Sequence, residues 1–191
     1  MKLERCFWCG EDPLYMAYHD TEWGQVNRDE RHLFEMLSLE LFQSGLSWLT
    51  ILRKREAFRR AFAGFAWQEI STFGSEKIEE LMADSAIVRN RKKIEAVIQN
   101  ARQMPGLLQV GSFADFLWQF EPKERQIPIG GHTRASLPLL IPEAHQLSCA
   151  LKARGFSFCG PMVCMSLMQA VGILNDHLRG CYLCPYSQVS E

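Results

Sequence analysis

Two small groups of metal-ligating side chains, at opposite ends of the chain, constrain this sequence more than anything between them. Cys6 and His19 lie near the start, and His177 and Cys181 near the finish. Thiolate sulfur and imidazole nitrogen suit a tetrahedral Zn²⁺, and four such ligands close a structural site. One ion held by all four would fasten the two ends together and close the intervening chain into a loop. A second set competes. Cys6-x2-Cys9 with Cys181-x2-Cys184 would make an all-thiolate site, the more familiar spacing. Spacing alone does not choose between them. For any single cysteine the structural alternative is a buried free thiol. A redox CxxC pair is the weakest reading, because no βαβ pattern surrounds it.

With 191 residues, 47% apolar and 23% charged, the chain has the material for one ordered domain. The net charge of −1 sets up no global positive field, so any grip on nucleic acid must come from local patches. Seven cysteines are an odd number, and no secretory apolar run follows Met1. A reduced, intracellular (cytoplasmic) setting is therefore expected. The longest apolar stretch, Pro161 to Leu174, is interrupted by Ser166, Gln169 and Gly172. It is too short to span a bilayer, so no membrane association is expected.

The pattern is helical nearly throughout. Leu33, Phe34, Leu37 and Leu41 recur at helix spacing, as do Ile78, Leu81 and Met82, and Ile94, Val97, Ile98 and Ala101. Ser75 ahead of Glu76 has the look of an N-cap. Residues 47–62 read as a helix with a basic middle, Arg53-Lys54-Arg55. The Gly- and Pro-rich stretch from Pro105 to Pro142 predicts loops. Helix resumes near Glu143, breaks at Gly155 and restarts with Pro161 as its first residue. The fold class that follows is all-α.

One helix carries a charge where an apolar side chain belongs. At about 100° per residue, Leu33, Leu37, Glu40 and Ser44 share a line flanked by Met36 and Leu41. An ionised carboxylate there costs several kcal/mol unless cations or donors compensate it. The structural alternative is a salt bridge to a core-facing arginine. The functional one is a carboxylate kept for a ligand that is positive or offers N–H groups. Trp8, Tyr15, Tyr18 and Trp23 precede this helix and Trp48 follows it. Aromatic faces beside a buried carboxylate suit a flat, electron-poor, nitrogen-rich ring. Arg53–Arg55 and Arg89–Lys93 are the densest cationic runs, and Lys152 and Arg154 precede the Gly155–Gly160 turn. Such runs are usually solvated helix faces. The turn, with a helix on each side, resembles a helix-hairpin-helix, whose backbone N–H groups can hold a DNA phosphate.

Several motifs then occur in one order. They are Asp12-Pro13-Leu14-Tyr15-Met16-Ala17-Tyr18-His19-Asp20 with Glu22-Trp23-Gly24, Leu39-Glu40 with Gly45-Leu46-Ser47-Trp48, and Arg154-Gly155-Phe156 through Gly160. Ser166-Leu167-Met168-Gln169-Ala170, Gly172 and Asn175-Asp176-His177 complete the series. Together they resemble the DNA-3-methyladenine glycosylase I family, a branch of the helix-hairpin-helix glycosylases, over residues 4–104 and 143–181. The resemblance implies a single glycosylase domain over residues 1–191, with the hairpin near 143–174 and the termini joined by structural zinc on Cys6, His19, His177 and Cys181. It implies a base pocket built by Glu40, Tyr18 and Trp48, with Tyr15, Trp8 and Ser166 as further members. Lys152, Arg154, Gly155 and Gly160, together with the basic runs, would grip phosphate. The expected activity is hydrolysis of the N-glycosidic bond of 3-methyladenine in alkylated double-stranded DNA by a monomer, with no lyase step and free 3-methyladenine as product. A non-enzymatic zinc DNA-binding module is the main rival and leaves Glu40 without a role. A thiol oxidoreductase is a distant third.

Overall fold

The computed structural model describes residues 3–109 and 111–186; the outer ends of the expected 1–191 domain lie outside them. Among the described residues nine α-helices occur and no strand. They are α1 (Pro13–Thr21), α2 (Glu30–Gln43), α3 (Trp48–Ala61), α4 (Trp67–Ile70), α5 (Ser75–Ala83), α6 (Arg91–Leu108), α7 (Phe113–Trp118), α8 (Pro142–Ala153) and α9 (Pro161–Ala170). None is long and apolar enough to cross a membrane.

Local chemistry sets most of the starts. Asp12 caps α1, accepting from the backbone N–H groups of Leu14 and Tyr15 at 3.0 and 3.3 Å. Asp29 caps α2 and Ser47 caps α3 in the same way. Pro161 occupies the first turn of α9, as expected, where its missing N–H has no intrahelical partner to lose. Ser75 departs from its expected part. Gly74 precedes the helix, and Ser75 lies inside α5 with no side-chain cap. The loop expected from Pro105 begins later, since α6 runs through that proline to Leu108. Near a helix end the ring removes one backbone bond and little follows to be kinked. A capping box between Ser112 and Asp115 starts α7, and residues 119–141 carry no α-helix.

The central element is α2. Every residue from Leu33 to Phe42 is buried, so the helix is enclosed on all sides rather than along one stripe. Ser44, expected in line with Glu40, is exposed at the C-cap. Phe42 packs against Phe58 of α3 at a centroid distance of 4.5 Å. A partly buried ion-pair network fastens α2 and the C-cap of α1 to α3. Arg55 donates to Glu35 at 2.8 Å and to Glu22 at 2.7 Å, and Arg59 donates to Glu35 at 2.7 Å. The structural alternative weighed for Glu40 is thus realised five residues earlier, at Glu35.

Several cations of the two basic runs also have partners within the fold. Arg53 pairs with Asp12 at 2.7 Å, and the Lys54 amine donates to the carbonyls of Ser85 and Ala86. Arg91 pairs with Glu79, and the buried Lys93 amine donates to the carbonyls of Phe42 and Ser44 at 2.9 and 2.6 Å. These cations are occupied by the fold itself.

The C-terminal end of α9 packs against the connection between α1 and α2. Gly24 N–H donates to the Gln169 carbonyl and Asn27 N–H to the Val171 carbonyl, each at 3.1 Å. Gly172 completes the contact at φ +80°, and a Cβ there would overlap the backbone of Gln25 and Val26. Gly172→Ala combines a left-handed backbone with a backbone clash. It is expected to cost about 2–4 kcal/mol, a fall in melting temperature of roughly 4–16 °C for a chain of this length. Calorimetry checks this, and an unshifted transition would show that the connection is free to move away.

Candidate functional site

α1, α2, α3 and α9 wall a cavity of about 200 Å³, room for one bicyclic aromatic ring system. Its lining includes Glu40 of α2, Tyr15 and Tyr18 of α1, Trp48 of α3, Ser166 of α9, and Trp8 from the segment before α1. All six side chains singled out in the sequence for a base pocket therefore meet in one place. Trp8 and Tyr15 stand 5.3 Å apart by ring centroids, and Tyr18 and Trp48 also 5.3 Å. Leu41 and Phe42, next in sequence to Glu40, are fully buried in the core and are not part of this lining.

Three polar atoms in the wall are buried without a hydrogen-bond partner: Glu40 Oε2, the Tyr18 hydroxyl and Trp48 Nε1. Buried polar atoms are nearly always paired, so three orphans converging on one cavity mark a place for a polar ligand. Burial pushes the Glu40 carboxyl up to about 8, and it holds the Tyr18 hydroxyl well above the ordinary phenolic range. The wall offers one acceptor that is costly to ionise, two donors and several aromatic faces. A cation with N–H groups meets every one of those needs.

Trp23, named in the sequence among the nearby aromatic faces, is also in the wall, and three further wall residues escaped the sequence reading as site members: Gln43, Leu137 and Gln169. Gln43 follows Glu40, and Gln169 follows Ser166, by three residues on one helix. That i, i+3 relation would have found both. Leu137 comes from the helix-free 119–141 segment, where no periodicity points inward.

A second cavity of about 190 Å³ shares Glu40, Gln43 and Ser166 with the first and adds Gly45, Leu46 and Met162. It connects the pocket to the N-terminal turn of α9 and to the turn between α2 and α3. The α8–α9 hairpin lies at that end. Asn100 of α6 anchors it, accepting from Ser157 N–H at 2.7 Å and donating to the Ser157 carbonyl at 3.1 Å. Gly155 sits at φ +82° after α8, and Gly160 precedes α9. Lys152 is exposed there. Arg154 lies 4.7 Å over the Phe116 ring and donates to the Ala150 carbonyl, so its guanidinium is partly committed to the fold.

The metal-ligand cluster lies directly behind the aromatic wall. One ligand atom each from Cys6, His19, His177 and Cys181 falls within 4.8 Å of the others, and all four residues are buried. Cys181 Sγ is 3.4 Å from His19 Nε2 and 3.6 Å from His177 Nδ1, and Cys6 Sγ is 3.6 Å from His177 Nδ1. A zinc tetrahedron with ordinary Zn–S and Zn–N bonds has sulfur–nitrogen edges of about 3.6 Å. The donor set fits. Each imidazole also has an oxygen partner for its other nitrogen, as metal-bound histidines generally do. His19 Nδ1 meets Asp20 at 2.8 Å, and His177 Nε2 meets the Trp23 carbonyl at 3.1 Å. Asp20 is gripped by Arg5 at 2.7 Å, which holds its carboxyl well below the usual range. Burial pushes the Cys6 thiol up to about 12 and lowers His177 to about 4, so a thiolate here needs a compensating cation, while the His177 imidazole is already neutral. The competing all-thiolate set is not assembled. Cys9 Sγ donates to the Cys6 carbonyl at 3.2 Å, and Cys184 lies 3.8 Å from the Gly130 carbonyl.

An aromatic slot for one base, a buried carboxylate and a hairpin between two helices at its mouth define the class of DNA-base-binding helical proteins to which base-flipping glycosylases belong. The chain belongs to the methyladenine glycosylase family, whose pattern matches residues 8–184. It is 44% identical over 184 residues to DNA-3-methyladenine glycosylase 1 of Escherichia coli (strain K12), covering 96% of this chain and 98% of that protein. Among solved structures, a crystal structure of 3-methyladenine DNA glycosylase I aligns at a TM-score of 0.90 and 45% identity, covering 95% of this chain and all of that one (100%). The Staphylococcus aureus enzyme, solved to explain 3-methyladenine recognition, aligns at 0.88 and 36% identity, over 96% and 97% of the two chains.

Proposed function

We propose that this chain is a single-domain, monomeric glycosylase that excises 3-methyladenine from alkylated double-stranded DNA. The observation that carries this reading is the partnerless Glu40 carboxylate facing an aromatic cavity of base size. A purine methylated at N3 is cationic within DNA, and its bond to the sugar is already weakened. The base leaves neutral and needs little acid assistance. The nucleotide is extruded at a cost of a few kcal/mol, least for damaged bases. Tyr18 and Trp48 flank the extruded ring, with Trp8, Tyr15 and Ser166 closing the slot. Glu40 accepts an N–H of the ring system and balances its charge. Water then adds to C1′ as the C1′–N9 bond breaks, and the proton released passes to solvent. Free 3-methyladenine and an abasic site result.

Undamaged adenine lacks the charge and gains less from the same groups, so selection is by differential binding. No lysine is among the described residues lining the cavity, in keeping with plain hydrolysis and an unbroken strand. Backbone N–H groups at Gly160 and the start of α9, with Gly155 and the exposed Lys152, are the phosphate grip, and Arg154 contributes less because it is partly engaged. Affinity for DNA therefore falls with rising salt. Cys6, His19, His177 and Cys181 hold a structural Zn²⁺, which when bound turns both thiols to thiolates and ties the ends together.

Incubation with methylated DNA tests this. Chromatography of the supernatant should show 3-methyladenine, and the DNA should stay intact until alkali or an abasic-site nuclease is added. Salt-sensitive DNA binding with no released base would instead favour the non-enzymatic zinc module.

A further inference from the structure

Gln169 is held in one orientation by a buried pair outside the cavity. Its Nε2 donates to Asp176 Oδ2 at 2.8 Å, and the other oxygen of Asp176 accepts from Arg125 Nη2 at 2.7 Å. Asp176 is 2% exposed. A carboxylate gripped by a guanidinium is an acceptor, so the amide can meet it only through its NH₂ group. Rotation of the amide by 180° would set two oxygens against each other in a buried site. Gln169 also lines the base cavity. One N–H of the amide is committed to Asp176, which fixes its orientation and leaves the carbonyl oxygen as the acceptor that the side chain can offer the cavity. The backbone is fixed as well, since the Gln169 carbonyl accepts from Gly24 N–H at 3.1 Å.

The geometry points to Gln169 as a specificity-determining residue, with Arg125 as its positioning residue acting through Asp176. This rests on the glycosylase reading above. The cavity then presents two acceptors, the Glu40 carboxylate and the Gln169 amide oxygen. Such a wall welcomes a purine carrying an amino group at C6. It repels one carrying a C6 oxygen, whose lone pairs would face another acceptor in a dry site. The two-acceptor wall therefore separates 3-methyladenine from 3-methylguanine, although both are cationic in DNA and carry the same methyl group. Arg125 lies in the 119–141 segment that has no helix, which gives that segment a part in recognition.

DNA treated with a methylating agent contains both bases, so one reaction reads both rates. Gln169→Leu is expected to lower the ratio of kcat/KM for 3-methyladenine over 3-methylguanine about tenfold. Arg125→Leu should lower the same ratio, and Arg125→Lys should restore most of it. A residue that only supported the fold would lower both rates together and leave the ratio unmoved. An unchanged ratio in folded Gln169→Leu overturns the inference while leaving the glycosylase reading intact. If that variant does not fold, Gln169→Asn, which draws the amide back by one methylene, carries the same test. Failure of the unaltered protein to release 3-methyladenine would instead remove the reading on which the inference rests.

Discussion

At pH 8 and above, Glu40→Gln should make the protein more stable and a far poorer glycosylase. Burial pushes this carboxyl up to about 8 in the folded chain, against an ordinary value of 4.5. Below about pH 4.5 the side chain is neutral folded or unfolded, and it does not affect the balance. Between there and about 8 the unfolded chain gains from ionisation and the folded one does not, so stability falls as pH rises. Above about 8 both forms are ionised, and the accumulated cost approaches 5 kcal/mol on the order of 1.4 kcal/mol per pH unit. Glutamine keeps the shape and removes that cost. The melting temperature of the variant should exceed that of the parent by roughly 10 °C or more at pH 8.5, with the gap closing toward pH 4.5. A constant gap across that range would mean that Glu40 is ionised cheaply and has a partner. The catalytic effect runs the other way. Removing a charge that faces a cationic base in a dry slot should lower kcat/KM for 3-methyladenine release about 100-fold. The rise of kcat/KM with pH toward 8, which reports Glu40 in the free enzyme, should flatten in the variant. Stability given up at a binding site and recovered on its removal is the signature of a functional group rather than a structural one.

The same physics explains what the sequence could and could not disclose. Glu40 was legible because a charge within an apolar helix pattern is expensive, and the expense is visible in one dimension. Pro161 and the Gly155–Gly160 turn were legible because their constraints are local to the backbone. The choice of metal ligands was not, since spacing says nothing of which thiols converge. Only the fold sends Cys9 and Cys184 to carbonyl partners and brings both histidines inward. The basic run at Arg53–Arg55 was ambiguous for a related reason. A guanidinium that pairs with Glu22 and Glu35 looks, in sequence, like one waiting for a phosphate. Leu137 and Arg125 left no signal at all. They reach the site from a segment without periodicity, held by contacts to residues far along the chain. Arg125 is tied to Asp176, and Arg179 is tied to the Ile129 carbonyl.

Removing the clasp should produce the largest loss of stability available at a single position. A link between Cys6 and Cys181 closes nearly the whole described chain into one loop. A crosslink of that span, treated as loss of entropy in the unfolded state, is worth about 5 kcal/mol. Cys6→Ala or His177→Ala should therefore abolish stoichiometric zinc, measured by elemental analysis, and lower the melting temperature by roughly 10–20 °C. A strong chelator acting on the unaltered protein should move it in the same direction. The loss is not confined to the ends. His19 packs at a tilt against Trp8 at 5.1 Å and His177 edge-on against Trp23 at 4.8 Å, and both tryptophans line the base cavity. The clasp variants should therefore bind 3-methyladenine more weakly even at temperatures where they remain folded, through a looser aromatic wall. Glu40→Gln, by contrast, should keep its zinc and melt no lower than the parent while losing the base. A Cys6→Ala protein that retained full zinc, or melted where the parent does, would show that these four ligands do not share one ion.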